Sequence, residues 1–200
     1  AAIKVVSDTL QNTNPSEIAF LMGMAPDHLF DLISDLAKAF GAPAPVRFGA
    51  LGMFEARATL SKAAETAFGR PSMPFFDLEN ADIVLSFGAN FLETWLSPVA
   101  FTRGFAKLRR GNPERRGYFV QFEARMSQTA SKADEWIPLR PGTEGLVALA
   151  IGRLVAEAKG GSIPTAFSSV DPAAVAEESG VELKTLQRLA QLLVNAHHPL

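Results

Sequence analysis

Read for the spacing of apolar positions, the chain alternates short apolar runs with stretches of helical period, the pattern of an α/β domain. Residues 3–14 are weakly patterned and predict an extended arm. The run Glu17-Ile18-Ala19-Phe20-Leu21-Met22-Gly23 predicts a first buried strand. Asp27 then caps a helix through Phe40, in which Leu29, Ile33, Leu36 and Phe40 share a face and Gly41 follows as a stop. After the Pro-rich connector from Ala42 to Pro45, Val46-Arg47-Phe48 predicts a short strand. An Ala-rich helix from Phe54 to Phe68 ends at Gly69, and a Pro-containing loop leads to Leu78. The most informative stretch follows. Ala81 to Phe87 is too short and too apolar for anything but a strand buried on both faces. Ser97-Pro98 opens a helix to about Arg110, and Tyr118 to Phe122 is a second strand, so the order predicts a right-handed crossover between parallel neighbours. Ile137-Pro138-Leu139 is a short extended piece whose proline suits a sheet edge. A helix from Thr143 to Ala158 carries Leu146, Ala150, Ile151 and Leu154 on one face, and two short helices, Pro172 to Glu178 and Leu183 to Asn195, follow the break at Gly160-Gly161-Ser162.

Parallel strands place their C-terminal ends together, so two loops are expected at one sheet edge. The first is the small-residue turn Gly88-Ala89-Asn90, able to bring backbone close to a ligand. The second is the polar run from Glu123 to Ala130, with Glu123, Arg125, Ser127 and Thr129 as its candidate contacts. The expected fold class is therefore an open, mostly parallel, Rossmann-like sheet flanked by helices. Its expected organisation is an entry arm over residues 1–16, an α/β domain over 17–160 and a helical extension over 161–200.

Composition narrows the chemistry. Two hundred residues, 48% of them apolar, suffice for a core, and a formal charge of −2 gives no reason to expect nucleic acid as a partner. No apolar run approaches the ~20 residues of a membrane-spanning helix, so no direct span is expected. There is no cysteine, which excludes disulfides and cysteine-ligated iron–sulfur clusters within these residues. His28 reads as a first-turn helix residue, and His197 and His198 as a terminal pair without metal-ligand spacing, so no metal ligand is expected among them. Trp95 and Trp136 read as core residues. Arg109-Arg110 and Arg115-Arg116, on either side of Gly111-Asn112-Pro113, read as solvent-facing charges complementing a helix C-terminus, with docking to an acidic partner as the alternative.

Several segments, in order, resemble motifs of the molybdopterin oxidoreductase family: Asn80-Ala81-Asp82, Gly88-Ala89-Asn90, Arg125 with Ser127 and Thr129-Ala130, Ala133-Asp134-Glu135-Trp136, and Arg140-Pro141-Gly142-Thr143-Glu144-Gly145. The run from Phe87 to Val99 most resembles the large iron–sulfur subunit of alternative complex III, a bacterial quinol:cytochrome c oxidoreductase. The resemblance implies that Gly88, Ala89, Asn90, Glu123, Arg125, Ser127, Thr129, Gly142, Thr143 and Glu144 face a molybdopterin guanine dinucleotide or the vestige of its site. Two departures stand out. Glu123-Ala124 occupies the place of the family's Asp-Pro, and Glu144 that of its guanine-facing Asp. At the metal-ligand position, near Glu55 to Ala58, none of the family's ligand types (Cys, selenocysteine, Ser, Asp) occurs, and Ser61 lies about a turn of helix away.

The resemblance thus implies a non-catalytic domain with no catalytic residue and no metal of its own. Iron–sulfur clusters would lie elsewhere in a longer chain, of which the present one, ending as another strand begins, would be a piece. Its partners would be other subunits of a membrane-attached quinol-oxidising complex, with the domain at the periplasmic face of the bacterial cytoplasmic membrane. The alternatives are a working molybdenum or tungsten enzyme holding the dinucleotide, and a stand-alone module that binds a small molecule.

Overall fold

The computed structural model describes residues 1–23, 25–47, 53–110 and 116–200, without the side chains of residues 53–57. The chain divides into two compact units, Ala1–Pro74 and Phe75–Leu200, with the division falling in the Pro-containing loop. Residues 161–200 belong to the second unit.

In the first unit, helix α1 (Ala2–Asn12) replaces the expected extended arm. Ile3, Val6 and Leu10 recur at helical spacing, and Thr9, Asn12 and Thr13 bond back to carbonyls four residues earlier, which the polar composition of the segment disguised. The buried strand expected over Glu17 to Gly23 shrinks to β1 (Leu21–Met22), with Leu21 exposed. Its first residues instead complete a 3₁₀ turn, Pro15–Glu17, whose cap is the Asn14 side chain, accepting from the Ser16 amide at 3.2 Å. Helix α2 (Asp27–Phe40) ends at Gly41 in the left-handed region, as the sequence predicts. Pro26 occupies the N-cap, so Asp27 is free to pair with Arg47 at 2.8 Å, and that guanidinium also lies 4.1 Å from the centre of the Phe30 ring. Strand β2 (Val46–Arg47) runs parallel to β1, and helix α3 (Met53–Phe68) follows. Phe48, expected at the end of β2, lies outside the described residues.

The second unit is built on β3 (Ile83–Phe87), β4 (Tyr118–Phe122) and β5 (Glu135–Ile137), all parallel, in the order β3-β4-β5. Helix α4 (Pro98–Arg110) joins β3 to β4. Alternation sends Leu85, Phe87, Tyr118, Val120, Phe122 and Ile137 to one face. There they meet α5 (Glu144–Ala158), α7 (Pro172–Ser179) and α8 (Leu183–Asn195), with Val147, Ala150, Ile151, Leu186 and Leu189 in the common core. A fourth short helix, α6 (Thr165–Ser168), lies between α5 and α7 in the chain. Val84 and Phe119 point to the opposite face, where Leu78, Ala81, Phe91 and Leu108 pack with them. The last residues extend the sheet: Pro199 bridges Ile83 in parallel, and the Leu200 amide donates to the Ile83 carbonyl at 2.9 Å.

The paired arginines differ from expectation. Arg109 is not a solvent-facing charge but a largely buried one, ion-paired to Asp134 and donating to the carbonyls of Gly117 and Lys132. Arg116 reaches the same carboxylate at 2.8 Å. Gly111 to Arg115, also part of that reading, lie outside the described residues. Gly117 explains the close fit here, since a Cβ on it would fall 2.0 Å from Leu108 Cδ1.

Candidate functional site

Three segments converge at the C-terminal ends of the strands. Gly88 leaves β3 at φ +69°, its amide donating to the Phe122 carbonyl at 2.8 Å, so the first turn is fastened to the end of β4. A Cβ on Gly88 would lie 3.9 Å from Glu144 Cγ, which brings the start of α5 to the same place. The second loop is joined to the first through Glu93. Its Oε1 accepts from the Thr129 amide at 3.0 Å, while the Thr129 hydroxyl accepts from the Leu92 amide at 3.3 Å. Leu96, a few residues on, has φ +50° without being glycine, a strained conformation of the kind that collects near functional loops.

Beneath the first turn lies a buried polar row. Ser86 and Gln121 face each other in register, and Trp136 is opposite Gln121 on the other side. Gln121 is completely buried, and its Nε2 donates to Glu123 Oε2 at 3.1 Å. Glu123, also buried, accepts at Oε1 from the Ser127 amide, and its carbonyl accepts from Trp136 Nε1 at 3.0 Å. Ser127 Oγ in turn accepts from the Ala130 amide at 3.0 Å. Glu123 and Ser127 thus each bond an amide three or four residues on, which braces the loop locally.

The ten candidate residues therefore separate into two groups. Glu123, Ser127, Thr129 and Thr143 are buried and engaged within the protein, Thr143 through a 2.6 Å bond to the Arg140 carbonyl. Gly88, Arg125 and Gly142 are exposed, and Ala89, Asn90 and Glu144 are half-buried. Gly142 has φ +87°, and neither it nor Gly145 has any atom within 4 Å of where a Cβ would be. The start of α5 thus faces open space. Among the described residues two buried acceptors are left over, Asn90 Oδ1 and Gln121 Oε1, with no hydrogen-bond partner there.

Sequence reasoning missed Ser86, Glu93 and Gln121. Gln121 was the detectable one, being an amide in the otherwise apolar run Tyr-Phe-Val-Gln-Phe, since a buried polar side chain is the informative exception in a strand. Of the positions assigned to a metal ligand, the side chains of Glu55, Ala56 and Arg57 lie outside the described residues. Ser61 is half-buried on α3. Among the described residues no cluster of His, Asp and Glu has the makings of a metal site.

No protein-family model matches the chain. Individual proteins do. The menaquinone reductase molybdopterin-binding-like subunit of Nitratidesulfovibrio vulgaris is 36% identical over 132 residues, 62% of this chain and 19% of that protein. The arsenate respiratory reductase molybdopterin-containing subunit of Chrysiogenes arsenatis is 26% identical over 150 residues, 75% of this chain and 17% of that protein. The homologues of this chain are molybdopterin oxidoreductase subunits. The solved acetylene hydratase of Pelobacter acetylenicus superposes over 99% of this chain and 28% of its own, with a TM-score of 0.66 at 16% identity, and so shares the fold. The chain thus spans under a fifth of the length of the two relatives described.

Proposed function

We propose that this chain is a non-catalytic molybdopterin-oxidoreductase-type domain, serving as scaffold and docking surface in the large iron–sulfur subunit of a membrane-attached, quinol-oxidising complex. Alternative complex III is the finer assignment, with the domain at the periplasmic face of the membrane. The observation that carries the reading is the engagement of Glu123. Glu123 is buried and each of its oxygens accepts from a protein donor, so the carboxylate at the family's nucleotide-facing position is turned into its own loop rather than toward a ribose or a base. Ser127, Thr129 and Thr143 are buried too and bonded to the main chain. Four of the ten candidate residues are thus committed to the protein itself, which leaves fewer grips for a firmly held guanine dinucleotide. The similarity to a subunit named molybdopterin-binding-like supports a molybdopterin-oxidoreductase-type domain, and the place of that subunit in a menaquinone reductase supports the expectation of partner subunits.

Asn90 Oδ1, Gln121 Oε1 and the open main chain at Gly142 and Gly145 favour a second reading. Unpaired buried acceptors are costly, about 1–3 kcal/mol each, unless a donor reaches them, and a pterin has such donors. The alternative is a working molybdenum or tungsten enzyme. Elemental and pterin analysis of the natural full-length protein, produced with molybdate and tungstate supplied, separates the two. The expected result is neither metal nor pterin; about one metal per chain, held by a protein ligand with its supporting shell, would transfer the assignment to the enzyme.

A further inference from the structure

The exposed face of α4 has no role in the crevice, yet it is not an ordinary solvated helix face. Val99, Arg103, Ala106 and Arg110 are spaced by four, three and four residues, so they form one stripe along the helix. All four are exposed, Val99 to 75%. Beside the stripe runs a groove of about 270 Å³ lined by Phe75, Phe76, Leu78 and Phe101, with Arg103 and Lys107 on its rim. Its walls are fixed. Phe76 packs on Trp95 and Phe101 with ring centres 5.2 and 6.3 Å apart, and a Cβ on Gly104 would come within 3.1 Å of Leu78, so the segment before β3 lies tight against the helix. Phe75, at the mouth, is 87% exposed.

The charges around the groove are unequal in availability. Glu79 is paired with Lys107; Asp77, bonded by the neutral Asn80 amide, keeps its charge, and Arg103 and Arg110 make no ion pair among the described residues. Two arginines against one carboxylate leave this face with an excess of positive charge. We propose that this face docks an acidic segment of a second polypeptide, with one apolar side chain seated in the groove against Phe75 and Phe101 and carboxylates on Arg103 and Arg110. Seven residues of helix separate the two arginines by about 10 Å, which sets the spacing of the carboxylates. An anionic lipid surface fits less well, because the apolar area is a concave slot that seats a single side chain rather than a flat face. The proposal rests on the subunit reading only for the existence of a second polypeptide.

The test uses the full-length protein in its complex, with the photo-reactive residue of Phe75→p-benzoylphenylalanine in the groove mouth. The expected crosslink is to another subunit, within a segment carrying at least two carboxylates. The double charge reversal Arg103→Glu with Arg110→Glu should lower retention of that subunit at least about tenfold, as like charges facing each other across an interface do. Lys159→Glu, a remote charge reversal, should leave retention unchanged, and Lys placed at the crosslinked carboxylates should restore binding to the doubly reversed protein. Crosslinks confined to the same polypeptide or to lipid, or a subunit retained by the doubly reversed protein, would overturn the proposal while leaving membership of the complex intact. A protein that purifies with no second polypeptide would overturn both.

Discussion

At the N-terminal ends of β4 and β5 one carboxylate, Asp134, is met by two guanidiniums and by the Phe119 amide at 2.8 Å. At the C-terminal ends of the same strands another, Glu123, is buried with only neutral donors, the Ser127 amide and the Gln121 side chain. The first arrangement is a charge knot that ties α4, β4 and the approach to β5 together. The second holds a loop in shape but supplies no opposite charge, and it leaves acceptors unpaired nearby. The sheet is therefore fastened at one edge and only shaped at the other.

Breaking the knot should have the largest effect. Arg109→Ala leaves a buried Asp134 with only the more exposed Arg116, and removing one partner of a buried pair is expected to cost about 3 kcal/mol, read by urea denaturation. Acid tests the same knot. Burial alone would raise the Asp134 pKa, but the Phe119 amide and the two arginines outweigh it and hold the carboxyl below its ordinary 3.8. A carboxyl with a depressed folded pKa contributes stability that is complete above the unfolded value and lost as pH falls through the folded one. The stability difference between the wild type and Asp134→Asn should therefore be constant above about pH 5 and shrink below 3.8. A difference that persists unchanged to pH 2 would mean that the charge on Asp134 contributes nothing.

At the other edge the effects should be smaller. Glu123→Ala strands the Ser127 amide and leaves Gln121 Nε2 only its long bond to the Ala89 carbonyl at 3.5 Å, at a cost of about 2 kcal/mol. Glu93→Ala removes a single carboxylate from a partly exposed loop contact, for about 1 kcal/mol, and amide exchange at Thr129 should accelerate while that at Phe119 does not. Equal acceleration at both amides would show that the two edges open as one unit and would remove the contrast between them.

The sequence displays some of this and hides the rest for identifiable reasons. β3, α4 and β4 are legible because Ile83 to Phe87 and Tyr118 to Phe122 are apolar apart from Ser86 and Gln121, and Ser97-Pro98 marks the helix start. The convergence of Gly88 with the Glu123 loop follows from parallel order alone. What the pattern cannot show is which polar side chains turn inward. Arg109 and Arg110 are adjacent and chemically equal, yet one is buried over the Phe105 ring and the other exposed, a choice made by the distant Asp134. α1 is missed because Ile3, Val6 and Leu10 lie among Ser, Asp, Thr, Gln and Asn, residues that read as extended or turn until Thr9, Asn12 and Thr13 are seen to bond back along the helix.

The smallest expected effect is the sharpest on function. Gln121→Leu nearly preserves side-chain volume while removing both ends of a buried amide. One end, Nε2, supports Glu123 at 3.1 Å, and its loss is unfavourable. The other, Oε1, is buried without a donor, so its removal relieves a desolvation penalty of similar size, about 1–3 kcal/mol. In a protein whose crevice is empty the two changes offset each other, and stability measured on the full-length protein should move by less than about 1 kcal/mol. If a bound ligand supplies the missing donor, the relief disappears and only losses remain. Destabilisation well beyond that limit, abolished when the wild-type protein is first stripped of small molecules by reversible unfolding, would mean that the crevice is occupied after all.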